Sequence, residues 1–427
     1  MQILIKGARV IDPGKMDALM DIRVDNGVIA DIQPPGVILP LDPAVTVYDA
    51  AGCIATPGLI DMHVHFREPG QEYKETIATG CSAAAAGGFT AVCTMPNTCP
   101  VNDNAQVTRF ILAKAAEACG VRVYPVGAVS KSLEGKSLSE FAELKAAGAI
   151  AVTDDGMPVR SSLMMRRAME YATGIGLLVI SHCEDWELAS GGCMNEGKTA
   201  TRLGLSGIPN VAETLMVLRD IALSELTGAR LHIAHVSTFE SVRAIREAKR
   251  SGIPVTAETA PHYFTLTEEA VGTYNTHAKM NPPLRTQRDV NAVCEGLADG
   301  TIDVIATDHA PHSSVEKAVE FDHAANGVIG LETSLALGLR LVASGVLSMT
   351  SLVEKMSSNP ARILGLTSTL SVGAPADITV FSPEREWTVD ARLFRSMSRN
   401  TPFDGWMLKG KTMLTMVGGK VVFDEMT

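Results

Sequence analysis

The sequence predicts an α/β fold, a TIM-type (β/α)8 barrel with a small β-sandwich domain formed by both chain ends. Three observations lead there. From residue 56 to about 365, short apolar strand candidates alternate with alanine-rich stretches of helical spacing, the signature of parallel βα units. Eight such strands can be counted, the number that closes a barrel. Residues 1–55 and 366–427 read instead as short strands with turns, too few at either end for a core of their own, so the two ends are expected to pack together. A doubly wound open sheet would want a glycine-rich phosphate loop after an early strand, and none stands there.

At the N-terminal end, strands are predicted over 3–5, 8–11 and 21–30, the last interrupted by Asn26-Gly27, a strong hairpin signal. The barrel strands are predicted over 59–65, 91–95, 122–126, 149–153, 177–181, 230–234, 254–258 and 303–307. Between them, 140–148 and 239–249 carry apolar residues at helical spacing with a glycine at or soon after the end. Strands return at 377–381, 387–389 and 411–423.

A chain of 427 residues can bury a substantial core. Its formal charge of −11, with no Lys/Arg-rich run, argues against a nucleic-acid or anionic-membrane partner and leaves a small molecule as the expected substrate. No apolar stretch approaches the ~20 residues that span a bilayer, and the first residues lack the long apolar region of a signal peptide, so a cytoplasmic protein is expected. The eight cysteines include no C-x-x-C pair, which suggests reduced core residues rather than disulfides or a thiolate metal knuckle. Cys183 follows His182, but successive strand residues face opposite sides, so a Cys/His nucleophile is not expected.

Polar residues recur where barrel enzymes keep their chemistry, just past the strand ends. His63 and His65 are two apart on the first strand, so both can reach one metal ion, and Arg67 continues the row toward a substrate. Asn97 follows the second strand, Asp154-Asp155 the fourth, His182 the fifth and His235 the sixth. The seventh leads to His262 and Asn281, and the eighth to Asp308, His309 and His312. Any one of these could merely tie a loop, but four histidines and two aspartates at matching ends of five strands are hard to dismiss. Imidazole and carboxylate without thiolate suit Zn2+ or another borderline divalent ion in a water-bearing site. Six ligands exceed the need of one ion, so Asp155 in the middle of the set could bridge two, whose shared water is acidified from ~15.7 toward about 7. Asp308 could take the proton of that water and pass it to a leaving nitrogen, which describes hydrolysis of an amide or imide. His232, His262, His277, His309 and His323 read as barrel-interior or supporting groups.

The stretches Asp61-Met-His-Val-His-Phe-Arg-Glu-Pro-Gly70, Met280-Asn-Pro-Pro-Leu-Arg285, Ala306-Thr-Asp-His-Ala-Pro-His312 and Gly330-Leu-Glu-Thr333 resemble those of bacterial type I dihydroorotases, in the amidohydrolase superfamily, and the resemblance spans nearly the whole chain. It implies that His63 and His65 bind a first metal, Asp155 bridges, and His182 and His235 bind a second. Asp308 would be the catalytic acid/base and a ligand of the first metal. Arg67, Asn97 and His312 would hold a substrate carboxylate and Asn281 the ring, with His65, Asn326 and Gly327 also at the substrate. Asn326-Gly327 stands where the family usually reads Phe-Gly, and Asp155 where hydantoinases and allantoinases usually carry a carbamylated lysine. One or two Zn2+ ions are implied, two favoured. The implied reaction is reversible closure of N-carbamoyl-L-aspartate to (S)-dihydroorotate in pyrimidine synthesis. Related cyclic-amide hydrolysis, or a noncatalytic role beside an aspartate transcarbamoylase, is the alternative. A homodimer is the expected assembly, and the transcarbamoylase the candidate partner.

Overall fold

The computed structural model describes residues 2–38, 45–118 and 120–426. Cys119, one of the cysteines expected to be reduced, lies outside them. The other seven cysteines are free.

Eight parallel strands, Leu59–Val64, Phe89–Thr94, Arg122–Ala128, Ala151–Thr153, Leu178–Ser181, Leu231–Ile233, Val255–Thr259 and Val304–Ile305, pair in sequence order. Each falls on a predicted strand. The last strand meets the first through a parallel bridge between Val64 and His309, where His65 N donates to His309 O at 2.8 Å. Asp61 adds a tie across the same seam, accepting from Thr307 N at 3.1 Å and Thr307 Oγ1 at 2.5 Å. Because both faces of these strands are covered, they read in sequence as continuous apolar runs rather than alternating ones. Alternation survives in the packing, since Leu178 and Ile180 join one cluster with Met62, Val126 and Val304, while Val179 joins the layer beneath the helices with Met165 and Val217.

The helices follow their local chemistry. Phe141–Ala147 stops at Gly148, whose φ of 113° is left-handed and returns the chain to the next strand. Phe239–Arg250 starts at Thr238, whose hydroxyl accepts from Ser241 N at 3.2 Å, and buries Val242, Ile245 and Ala248 on one stripe. Full burial of side chains such as Val242 and Ile245 contributes about 1.5–3 kcal/mol each.

Both chain ends build a second sheet of eight strands. Ile54–Pro57 joins them, pairing in parallel with Gln2–Asp12 and antiparallel with Ile378–Thr388. Ile3, Val10, Ile22, Ile29, Val380 and Leu414 form its separate core. Between Ile378–Thr388 and Met407–Val417 the chain leaves this sheet, and residues 395–400 lie against the barrel. No helix among the described residues is long and apolar enough to cross a membrane.

Candidate metal centre and substrate pocket

The strand ends bring the predicted residues into one place. His65, Arg67, Asn97, Asp155, His182, His235, Asn281, Asp308, His312, Asn326 and Gly327 line a single cavity of about 210 Å3. His63, buried behind it, is 3.4 Å through Nε2 from Asp155 Oδ1.

Two sets of donors share Asp155. His63, His65 and Asp155 can each offer a ligand atom within 4.8 Å of the others, and so can Asp155, His182 and His235. The orientation of the first two imidazoles follows from their far nitrogens. His63 Nδ1 lies 2.7 Å from Glu258 Oε1, and His65 Nδ1 lies 2.9 Å from Asn97 Oδ1. Both partners accept, so each Nδ1 carries the hydrogen and each Nε2 presents its lone pair to the cavity. Asp308 Oδ1 stands 3.2 Å from His65 Nε2 and 3.6 Å from His63 Nε2, within the reach of the same set.

The second set is held more tightly. His182 Nδ1 and His235 Nε2 are 2.8 Å apart and lie 3.4 and 3.5 Å from Asp155 Oδ1. His63 Nε2 and Asp155 Oδ1, both within the donor sets, are buried with no hydrogen-bond partner. Buried polar atoms without partners are costly, and a divalent cation satisfies imidazole and carboxylate donors together, so the residues present fit a metal. Electrostatics agree. Burial alone would lower the His182 imidazole, yet Asp155 and Glu184 raise it to about 10, so these carboxylates favour positive charge between them. Burial likewise opposes ionisation of Asp308, but His63 and His65 hold its carboxyl down at about 2.

Opposite the donors, Arg67 is 8% exposed, and its Nε donates to Pro311 O at 3.2 Å. Burial lowers the guanidinium to about 10, against the pull of Asp308 and Asp155, so it stays cationic at neutral pH. His312 is held as neutral imidazole, pushed down to about 3 by burial and by Arg67, with Nε2 2.7 Å from Asn326 O. Asn281 leaves Oδ1 buried and unpartnered. Gly327 has φ 148°, and a Cβ there would lie 2.7 Å from Ala310 O, so only glycine fits against the loop after the last barrel strand. Arg67, His235 and Asp308 have φ of 61°, 34° and 47°, a strained left-handed backbone of the kind found where side chains are aimed for function.

Residues read as structural stay outside the cavity wall. His232 contacts Glu258 at 3.2 Å, and His309 contacts Glu75 at 3.4 Å. Cys183 turns away to Ser181 and Asp220, and burial raises its thiol far above the range of a nucleophile. The sequence reading gave no role to Glu258, although a carboxylate within a buried barrel strand is a legible signal. Asn400, whose side chain binds the backbone of 310, 312 and 327, was also missed, and nothing in its local sequence points there.

The likenesses to known proteins agree with this geometry. A family model described as dihydro-orotase-like matches residues 52–241. The dihydroorotase of Desulforapulum autotrophicum is 60% identical over 425 residues, covering 100% of both chains. That of Syntrophus aciditrophicus is 56% identical over 427 residues, again covering 100% of both. Among solved structures, L-hydantoinase (dihydropyrimidinase) from Arthrobacter aurescens superposes with a TM-score of 0.88 at 27% identity, covering 99% of this chain and 96% of that one. Dihydropyrimidinase from Brevibacillus agri, at 23% identity and TM-score 0.84 with 100% and 96% covered, shares the fold.

Proposed function

The chain belongs to the dihydroorotase family, and from that premise we propose that it interconverts N-carbamoyl-L-aspartate and (S)-dihydroorotate in pyrimidine biosynthesis, as a metal-dependent cyclic-amide hydrolase of the bacterial type I group. The observation that carries the substrate is Arg67. Its buried guanidinium faces the same cavity as the metal donors and can grip a carboxylate that neutral cyclic amides lack. This favours dihydroorotate over the hydantoins named for the structural neighbour at 27% identity. A noncatalytic role is disfavoured because every donor position is filled.

The proposed roles are as follows. His63, His65 and Asp308 would hold one cation, His182 and His235 a second, and Asp155 would serve both; two Zn2+ ions would suit this imidazole and carboxylate set. Such ions lower the pKa of water from about 15.7 toward 7 and supply a nucleophile at neutral pH. Arg67 and Asn97 bind the substrate carboxylate, His312 shares its one imidazole hydrogen, on Nε2, between Asn326 O and that carboxylate, and Asn281 and the backbone of Asn326 and Gly327 meet the ring. Asp308 accepts the proton of the attacking water and delivers it to the nitrogen that leaves as the ring opens; in ring closure it takes that proton back.

The barrel as residues 56–365, with 1–55 and 366–427 as the small domain, is the domain division we favour, and the cytoplasm the compartment. A homodimer is proposed too, with an aspartate transcarbamoylase as a candidate partner. Val211, Leu215, Leu218 and Leu226 leave an exposed apolar stripe on the helix Asn210–Thr227, consistent with an association face. Sedimentation at several concentrations tests the dimer, and a strictly monomeric chain would refute it.

The function is tested with dihydroorotate before and after chelation. Turnover is expected to vanish with the metal and return with Zn2+. Full activity in protein shown metal-free by elemental analysis would refute the metal role, and no turnover of dihydroorotate by the loaded protein would refute the substrate.

A further inference from the structure

Arg67 and His312 are aimed by backbone carbonyls, and both carbonyls belong to segments tied down by one distant side chain. Pro311 O accepts from Arg67 Nε at 3.2 Å, and Asn326 O accepts from His312 Nε2 at 2.7 Å. On either side of Pro311, Asn400 Nδ2 donates to Ala310 O at 2.9 Å and Asn400 Oδ1 accepts from His312 N at 3.1 Å. The same Nδ2 donates to Gly327 O at 3.0 Å, one residue beyond Asn326. Asn400 is 1% exposed, so these bonds are made away from water, where breaking one leaves a buried partner unpaired.

Asn400 comes from the excursion between two strands of the small sheet, and that excursion is itself anchored on the barrel. Glu332 Oε1 accepts from Arg395 N at 2.9 Å and Ser396 N at 3.2 Å, Glu75 accepts from Met397 N at 3.1 Å, and Ser398 Oγ donates to Lys74 O at 2.8 Å. The tight seat of Gly327 against Ala310 leaves the two segments no slack. A shift of either would therefore move Arg67 or His312.

We propose that Asn400 is a positioning residue for carboxylate recognition. Without touching substrate, it fixes the two backbone segments that aim Arg67 and His312, so the C-terminal part of the chain completes the substrate pocket. The proposal rests on the dihydroorotase reading given above.

Asn400→Ala and the near-isosteric Asn400→Asp test it. Asp keeps an acceptor for His312 N but turns an oxygen toward two carbonyls, so it is expected to do no better than Ala. Expected are a rise of about tenfold in KM for dihydroorotate and in the inhibition constant of orotate, which carries the same carboxylate, with kcat within about twofold. Metal content should be unchanged, and amide hydrogen exchange at His312 should quicken. Where the alanine variant does not accumulate, the aspartate variant gives the same comparison. Wild-type KM and orotate inhibition in either variant, or a fall in kcat at constant KM, overturns the role of Asn400. A wild-type protein that binds no orotate and turns over no dihydroorotate overturns the functional reading instead.

Discussion

His63 Nδ1 lies 2.7 Å from Oε1 of Glu258, and the other oxygen of that carboxylate lies 3.2 Å from His232 Nε2. His232 in turn contacts Thr256 Oγ1 at 2.8 Å. Three barrel residues thus stand in series behind one proposed ligand, all buried except the half-buried Thr256. An anion at Nδ1 makes the imidazole a better donor at Nε2 and fixes its ring plane. Glu258→Ala is therefore expected to weaken metal binding by about 10–100-fold, as loss of such supporting partners does. Glu258→Gln, which keeps an acceptor but not the charge, should lose less. Competition with a chelator measures both, and metal affinity equal to wild type in the alanine variant would make Glu258 a packing residue only.

Much of this site was legible because a barrel converts sequence order into spatial order. Once eight apolar runs are assigned as parallel strands, residues after their ends must converge, and His63, His65, Asp155, His182, His235 and Asp308 do. Gly327 was legible as a backbone approach, but the crowding that demands glycine there comes from Ala310 and His312. Glu258 could have been read, since a buried carboxylate in a strand needs a partner. Asn400 could not: it meets His312 from 88 residues away, and its role depends on where the small-sheet excursion lands, which no local periodicity encodes. Glu332 is hidden for the same reason, as its backbone partners lie on that excursion, and so are the contacts that Glu75 makes there beside its contact with His309.

Glu332 gives a prediction for stability. Burial raises its carboxyl from 4.5 to about 7, against the backbone amides of Arg395 and Ser396. A folded-state value above the unfolded one means that the folded protein binds more protons between pH 4.5 and about 7. The contribution is fully present below the unfolded value and is lost as pH rises through the folded one. Glu332 also lines a cavity of about 230 Å3 between barrel and small sheet and is only half-buried, which softens the effect. The loss is on the order of 1–3 kcal/mol across that window. Glu332→Gln keeps an acceptor for the two amides and removes the titration. It should match or exceed wild type in denaturant stability above pH 7 and show a flatter profile below it. Parallel profiles for the two proteins from pH 4.5 to 8 would place the cost of Glu332 elsewhere.

The final prediction concerns Asp308. Its Oδ1 is 3.2 Å from His65 Nε2 and 3.6 Å from His63 Nε2, on the cavity side of the metal donors, and its backbone φ of 47° is a strained conformation that aims the side chain there. With its carboxyl held at about 2, it is ionised at neutral pH and ready to accept a proton. Asp308→Asn keeps the size and one oxygen but cannot take that proton, and general acid–base groups contribute on the order of 10²–10⁴-fold. A turnover loss of that order is expected, with the cation shared by Asp155, His182 and His235 retained. Kinetics must be measured in both directions, because a catalyst changes neither equilibrium constant nor substrate energies, so forward and reverse kcat/KM must fall by the same factor. Near-normal turnover in either direction would leave Asp308 a structural ligand. The proton would then have to travel by another group, and His312, held down at about 3 by burial and by Arg67, is too weak a base to take it.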